Sequence, residues 1–256
     1  MTGKGARRAS VPWQDATVCD LRVIAAGLPI DDVIVVGSTA DESDRLDAWS
    51  DLDVVVVAKA DTADTLWPDV SWLAGLGDVA ALSQSARPPG GTSRLLLIDG
   101  RRVDVIVTDT VAAAERRAEL ADFSSTADTD GTVDTADLDQ IANDLLFDAA
   151  LATVKAARGE RLISTHLAIG LLQRCLEAAM VVRDLAERTA HHTGPRRHDA
   201  LADLLPDVPA APRPDDVLHL VGRSLDCFAG VIAAAPSPPA FPRQAVDVLL
   251  ARAGAR

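Results

Sequence analysis

The chain reads as an α+β protein in two parts, a mixed sheet with helices in the first half and an α-helical bundle in the second. Three observations predict this. The β-branched runs "DDVIVV", "LDVVVVA" and "RVDVIV" all stand in the first half, where such short runs bounded by turn residues mark strands. From Asp137 onward, apolar residues recur instead at the i, i+3, i+4 spacing of helices facing a common core. Between the two lies "SSTADTDGTVDTAD", small, polar and acidic, the composition of a linker. The boundary is placed in Thr126 to Thr135, giving domains of residues 1–130 and 131–256.

The elements follow in order. "DATVCDLRVIAAGLP", Asp15 to Pro29, has helical spacing, with Asp15 as N-cap and Gly27-Leu28-Pro29 as the stop. "DDVIVVGS" is a first strand ending in Gly37-Ser38, and "LDVVVVAK" is the second. "DTADTLWPDVSWLAGLG" suits a helix that starts or kinks at Pro68. "DVAALSQ" precedes "SRLLLIDGRRVDVIVTD", a hairpin turning at Asp99-Gly100. Asp99 is read as a turn residue only. A helix over "TVAAAERRAELADF" closes the half.

The helical half divides into "DLDQIANDLLFDAALATVKAARG", "ERLISTHLAIGLLQRCLEAAMVVRDLAERTA", "DDVLHLVGRSLDCFAGVIAAA" and "RQAVDVLLARAG". Its breaks are "HHTGPRR", "PDVPAAPRP" and "PSPPAFP". No internal repeat is visible.

Composition narrows the function classes. With 256 residues and 48% hydrophobic content, the chain is large enough for a real core in each part. No apolar run reaches the roughly 20 residues of a membrane span, and the basic start "MTGKGARRAS" has no apolar core behind it, so the expectation is a cytoplasmic protein with no membrane partner. Cys19, Cys175 and Cys227 are three, far apart in sequence and among apolar neighbours, so they are expected to be core residues. The net charge of −13 and 3% aromatic content disfavour a nucleic-acid partner. Cationic small molecules suit that charge better.

The two aspartates at the head of the second strand carry the functional argument. Strand residues two apart share a face, so Asp51 and Asp53 project together, about 7 Å apart along the backbone. Asp104 interrupts the "VDVIV" run in the same way. Three carboxylates converging on one sheet edge would repel one another unless protonated or bridged by cations. A pair of magnesium ions about 4 Å apart would remove the repulsion and serve nucleotidyl transfer. The Gly37-Ser38 turn offers N–H groups and a hydroxyl to a triphosphate.

A Gly-Ser turn after a hydrophobic strand, Asp-x-Asp entering the next strand, and a later strand with a third carboxylate together resemble the DNA polymerase β-type nucleotidyltransferase superfamily. The matching residues are Gly37-Ser38, Ser50-Asp51-Leu52-Asp53 and Asp104. With a helical second domain, the chain resembles the bacterial antibiotic nucleotidyltransferases, chiefly aminoglycoside adenylyltransferases. That resemblance implies a mixed sheet with helices on one face in residues 1–130, and a helical domain in 131–256 completing a nucleotide and substrate cleft. It implies Mg²⁺, two ions, with ATP as co-substrate. Asp51, Asp53 and Asp104 would be the metal ligands, Asp104 the catalytic base, and Gly37, Ser38 and Ser50 nucleotide contacts. The acceptor would be a small cationic or polyhydroxylated molecule.

Lys155 joins this set. Only Lys4, Lys59 and Lys155 are lysines, and the family's second domain supplies a lysine to the nucleotide phosphates from a similar "Lys, then Arg-Gly-Glu" segment. Asp144 and Asp148 share a helix face at i, i+4, either as substrate-binding carboxylates or as a solvated stripe. His191 and His192 are adjacent on a loop and face different ways. The stretch "TADESDRLD", 39–47, departs from the family pattern, which has an arginine soon after the Gly-Ser turn; Arg45 is a candidate cation there. The alternatives are a nucleotidyltransferase for another acceptor, such as a lincosamide, a biosynthetic intermediate or a protein, and a non-catalytic antitoxin-like partner with the same fold.

Overall fold

The computed structural model describes residues 12–36, 49–110, 112–113, 137–187, 204–207 and 212–255. Gly37, Ser38, the 39–47 stretch with Arg45, most of the expected 110–123 helix, the 126–135 boundary, and His191 and His192 lie outside the described residues.

The first helix, α1 (Pro12–Ala25), begins three residues before the expected cap. Proline is preorganised for a first helical turn, and Asp15 falls inside that turn, where its charge suits the helix dipole. Gln14, Val18, Leu21 and Ala25 form its buried stripe. Strand β1 (Ile30–Val36) runs antiparallel to β2 (Leu52–Ala58).

The segment expected as one helix is two short pieces, α2 (Ala63–Leu66) and a 3₁₀ segment (Ser71–Leu76). Pro68 lies between them, and its missing N–H and its ring prevent continuation. The remaining strands are β3 (Val79–Ala86), β4 (Gly91–Leu97) and β5 (Arg102–Asp109). The sheet order is β1-β2-β5-β4-β3. The β2–β5 pair is parallel, so the sheet is mixed, in keeping with the α+β class.

Two turns set this order. Gly100, at φ 83°, closes the β4–β5 turn, and Leu97 N–H donates to the Arg101 carbonyl at 2.9 Å. Asp99 does the work of a turn residue, accepting from Arg101 N–H at 3.0 Å. Gly90, at φ 88°, leads into β4; a side chain there would collide with the Val107 carbonyl of β5.

The helical region comprises α3 (Asp137–Ala157), α4 (Arg161–Glu187), α5 (Pro214–Ile232) and α6 (Gln244–Gly254). Helix α3 packs on α4, α5 and α6, and α5 packs on α4 and α6. Ala149, Ala152, Ala168 and Ala178 are fully buried, and such small residues let helices approach closely. Leu145, Leu171, Leu225 and Phe228 fill the core between them. By length and composition, Arg161–Ala186 is apolar enough to cross a membrane; here its buried face packs in the bundle.

The chain divides into two compact units. The first is Met1–Asp78, Gln84–Leu95 and Arg102–Thr126; the second is Val79–Ser83, Leu96–Arg101 and Ala127–Arg256. Cys175 and Cys227 are buried in the second as expected, whereas Cys19 is exposed on α1. Its position lies off the buried stripe of that helix, which corrects the reading of all three as core.

Candidate active site

Strand register builds the site. Along β2, Asp53 is the Cα partner of Val36 on β1 and of Asp104 on β5. Paired residues of adjacent strands point to the same face, with the strands roughly 4.8 Å apart. Asp53 and Asp104 therefore stand side by side. Val36, the residue before Gly37, flanks Asp53 on the other side. On the same face Val36, with Ile34, Val55, Val57 and Ile106 further along, packs together with Ala113. The carboxylates thus stand at the end of an apolar face, and that setting determines their chemistry.

Burial first, then repulsion from Asp51 and Asp104, pushes the Asp53 carboxyl up from 3.8 to about 7. Burial also raises Asp104, to about 6, with Arg94 pulling it down and Asp51 pushing it up. Both are the signature of anionic groups held close together in a poorly solvated place. A site whose carboxylates are poised near neutral pH is a candidate for function.

Asp51 lies just ahead of β2. Its Oδ2 is 3.5 Å from Arg102 Nη2, and the same nitrogen donates to the Trp49 carbonyl at 2.9 Å. Asp104 Oδ2 is 3.3 Å from Arg94 Nε. The Ser50 carbonyl accepts from Gln14 Nε2 at 3.3 Å, and Ser50 itself is buried. Residues 49–51 are therefore tied to α1 on one side and to β5 on the other. This holds the entry to β2 in place.

Arg94, Arg102 and Gln14 escaped the reading of the sequence. The signal for the two arginines was present, because a charge inside an apolar strand run is what singled out Asp104. Arg94 stands in "SRLLL" and Arg102 stands two residues before Asp104 on the same face. Gln14 gave a weaker one, a polar residue at a core position of an amphipathic helix.

Among the described residues, no group of three His, Cys, Asp or Glu side chains forms a ready metal cage. Asp51 and Asp104 are instead engaged by arginines. The donor set nevertheless suits a hard divalent cation, which takes carboxylate oxygens. Two of its carboxyls keep their protons unusually tightly, a condition that a bound cation would relieve.

The second unit contains the other predicted residues. Lys155, in the last turn of α3, places Nζ 2.8 Å from Glu160 Oε2. Asp144 and Asp148 face one guanidinium: Arg174 Nη1 is 3.4 Å from Asp144 Oδ2, and its Nε donates to Asp148 Oδ2 at 3.1 Å. Glu177 adds a contact at 3.9 Å. As they stand, these carboxylates are partners of an arginine on the neighbouring helix.

The chain matches no protein-family model and no curated protein sequence. Among solved structures it is similar to the crystal structure of an aminoglycoside 6-adenyltransferase from Bacillus subtilis, at 11% identity and a TM-score of 0.29, over 98% of this chain and 100% of that one. At that level of likeness, the case for the site rests on the residues of this chain alone.

Proposed function

We propose that the protein is a magnesium-dependent nucleotidyltransferase that moves AMP from ATP to a hydroxyl of a small cationic or polyhydroxylated molecule, of the aminoglycoside type. The observation that carries this reading is the register that sets Asp53 beside Asp104 on one side and beside Val36, the residue preceding Gly37-Ser38, on the other. Three separate stretches of sequence, each unremarkable alone, are thereby brought to one end of one sheet. That juxtaposition supports the reading.

Asp51 and Asp53 would hold the divalent ion, with Asp104 as third ligand. When bound, such an ion neutralises phosphate charge and stabilises the leaving pyrophosphate. Binding would draw Asp51 and Asp104 away from Arg102 and Arg94 and expel the proton from Asp53. Asp104 would be the group that accepts the proton of an acceptor hydroxyl. Gly37, Ser38 and Ser50 would supply donors to the triphosphate. Lys155 contributes a cation toward the phosphates. The acidic balance of −13 favours a cationic acceptor.

The test is a mass-shift screen. Purified protein, ATP and Mg²⁺ are incubated with panels of aminoglycosides, lincosamides and other polyols. The expected result is an acceptor heavier by one adenylyl group and release of pyrophosphate. Failure of calorimetry to detect Mg²⁺–ATP binding would overturn the catalytic reading altogether.

A further inference from the structure

Two arginines stand against the sheet carboxylates, and they differ in how firmly they are held. Arg102 keeps 12% of its side chain in solvent. Its Nη2, 3.5 Å from Asp51 Oδ2, also donates to the Trp49 carbonyl at 2.9 Å, and Trp49 is buried. Withdrawing Arg102 would take a donor from that carbonyl in a place with little water to replace it. Arg94 keeps 51% of its side chain in solvent. Among the described residues its close partner is Asp104, with Nε 3.3 Å from Oδ2. An ion pair half in water contributes little and exchanges readily.

The backbone beneath Arg94 is fixed. β4 lies between β5 and β3, and Ser93, Leu95 and Leu96 around Arg94 are buried, so a flexible side chain reaches from a rigid strand. β5 sets Asp104 beside Asp53 of β2, and the Arg94 charge acts on both carboxyls. The guanidinium therefore stands beside the carboxylate pair and open to solvent. In a chain of net charge −13, an anionic ligand arriving there needs a cation already in place.

We propose that Arg94 is a phosphate-binding residue held in reserve: it neutralises Asp104 in the metal-free protein and turns to the triphosphate once a divalent ion engages the carboxylates. The inference rests on the nucleotidyltransferase reading and adds to it a residue of β4. The ligand class is a polyphosphate anion, which suits a guanidinium because its planar fork of N–H donors matches a pair of phosphate oxygens. The exchange leaves no charge bare at either stage. Before it, Arg94 faces Asp104; after it, the ion faces Asp104, and Arg94 faces the anion that arrives with the ion. Arg102, tied to the Trp49 carbonyl, stays where it is as a positioning residue for the Trp49–Asp51 segment.

Two probes separate the roles of Arg94 by sign: Mn²⁺ alone, followed by paramagnetic resonance, and the Mg²⁺ complex of α,β-methylene ATP, followed by calorimetry. Arg94→Met should bind Mn²⁺ about 2- to 5-fold more tightly than the wild type, the worth of the ion pair it no longer makes. It should bind the nucleotide complex about 10-fold more weakly, the worth of roughly one charge-assisted hydrogen bond. Arg94→Lys keeps the charge and loses the fork, so it should return Mn²⁺ affinity to the wild-type value and recover only part of the nucleotide affinity. Both variants should melt close to the wild type, because the side chain is half in solvent. Loss of both affinities in Arg94→Met would make the arginine a structural support, and a gain in both would make it a counter-ion only; either result overturns the proposal. A wild type that binds both probes, with Arg94→Met binding them equally well, overturns the role of Arg94 and leaves the nucleotidyltransferase reading standing. A wild type that binds neither probe overturns both.

Discussion

Two pairs of carboxylates look alike in the sequence and differ in the structure by how far burial and mutual repulsion outweigh the arginines beside them. Asp144 and Asp148 share an arginine held between them, at 3.4 and 3.1 Å. Burial pushes Asp148 up and Arg174 pulls it back. Asp53 and Asp104 stand side by side on adjacent strands, with Arg94 3.3 Å from Asp104 and both Arg94 and Arg102 pulling the two carboxyls down. Their carboxyls sit at about 7 and about 6. In the helical pair one arginine binds both carboxylates. In the sheet pair burial and mutual repulsion outweigh the pull of Arg94 and Arg102, and carboxyls poised near neutral pH mark a candidate site.

The largest expected effect separates the pairs by chemistry. Asp104→Asn removes the proposed base and should lower transfer by about 10²- to 10⁴-fold, with ATP binding retained in calorimetry. Unchanged turnover would show that the acceptor hydroxyl loses its proton elsewhere.

Stability separates them by sign. The folded-state value of Asp53, about 7, lies above its ordinary 3.8, so the folded chain keeps a proton that the unfolded chain gives up. The stabilisation this provides is fully present below about 4 and is lost as pH rises through about 7. Asp53→Asn should therefore stabilise the metal-free protein at pH 8, by on the order of 4 kcal/mol at about 1.4 kcal/mol per unit. It should also flatten the fall in denaturation midpoint between about pH 5 and 8. Mg²⁺ should stabilise the wild type more at pH 8 than at pH 6, because it competes with that proton. An identical pH profile for wild type and Asp53→Asn would mean the carboxyl is solvated after all.

The helical pair should respond in the opposite direction. Arg174→Met leaves Asp144, Asp148 and Glu177 without their common partner in a half-buried setting. The expected loss is about 2 kcal/mol in urea unfolding. A neutral or stabilising result would show the network to be solvated and the two regions less different than their geometry.

The distinction between the pairs was only half legible from sequence. Asp104 stood out because a charge inside "VDVIV" has no local explanation, and β2 and β5 were plain from their valines. The helix periods of α3 to α6 were equally visible. Which strands would be neighbours was not, and the meeting of Asp53 with Asp104 depends on a parallel pairing between residues 51 apart in sequence. Arg174 lies 26 residues from Asp148, so its role depends on α3 packing against α4. Pro68 announced a break, and whether it would begin a helix or divide one was decided by the short apolar stretches on either side.

The smallest effect tests whether the second unit's lysine belongs with the helical pair or with the sheet pair. Lys155 Nζ is 2.8 Å from Glu160 Oε2, with both side chains partly in solvent. An ion pair of that kind contributes within about 1 kcal/mol. Lys155→Met should therefore change the melting temperature little. If its cation reaches the triphosphate, the KM for ATP should rise about 5- to 10-fold, the worth of roughly one charge-assisted hydrogen bond. Glu160→Gln, which frees the lysine from its present partner, should then leave KM the same or lower it. A rise in KM on Glu160→Gln equal to that on Lys155→Met would indicate instead that the ion pair holds the end of α3 in place, and that the lysine acts through structure as Arg174 does.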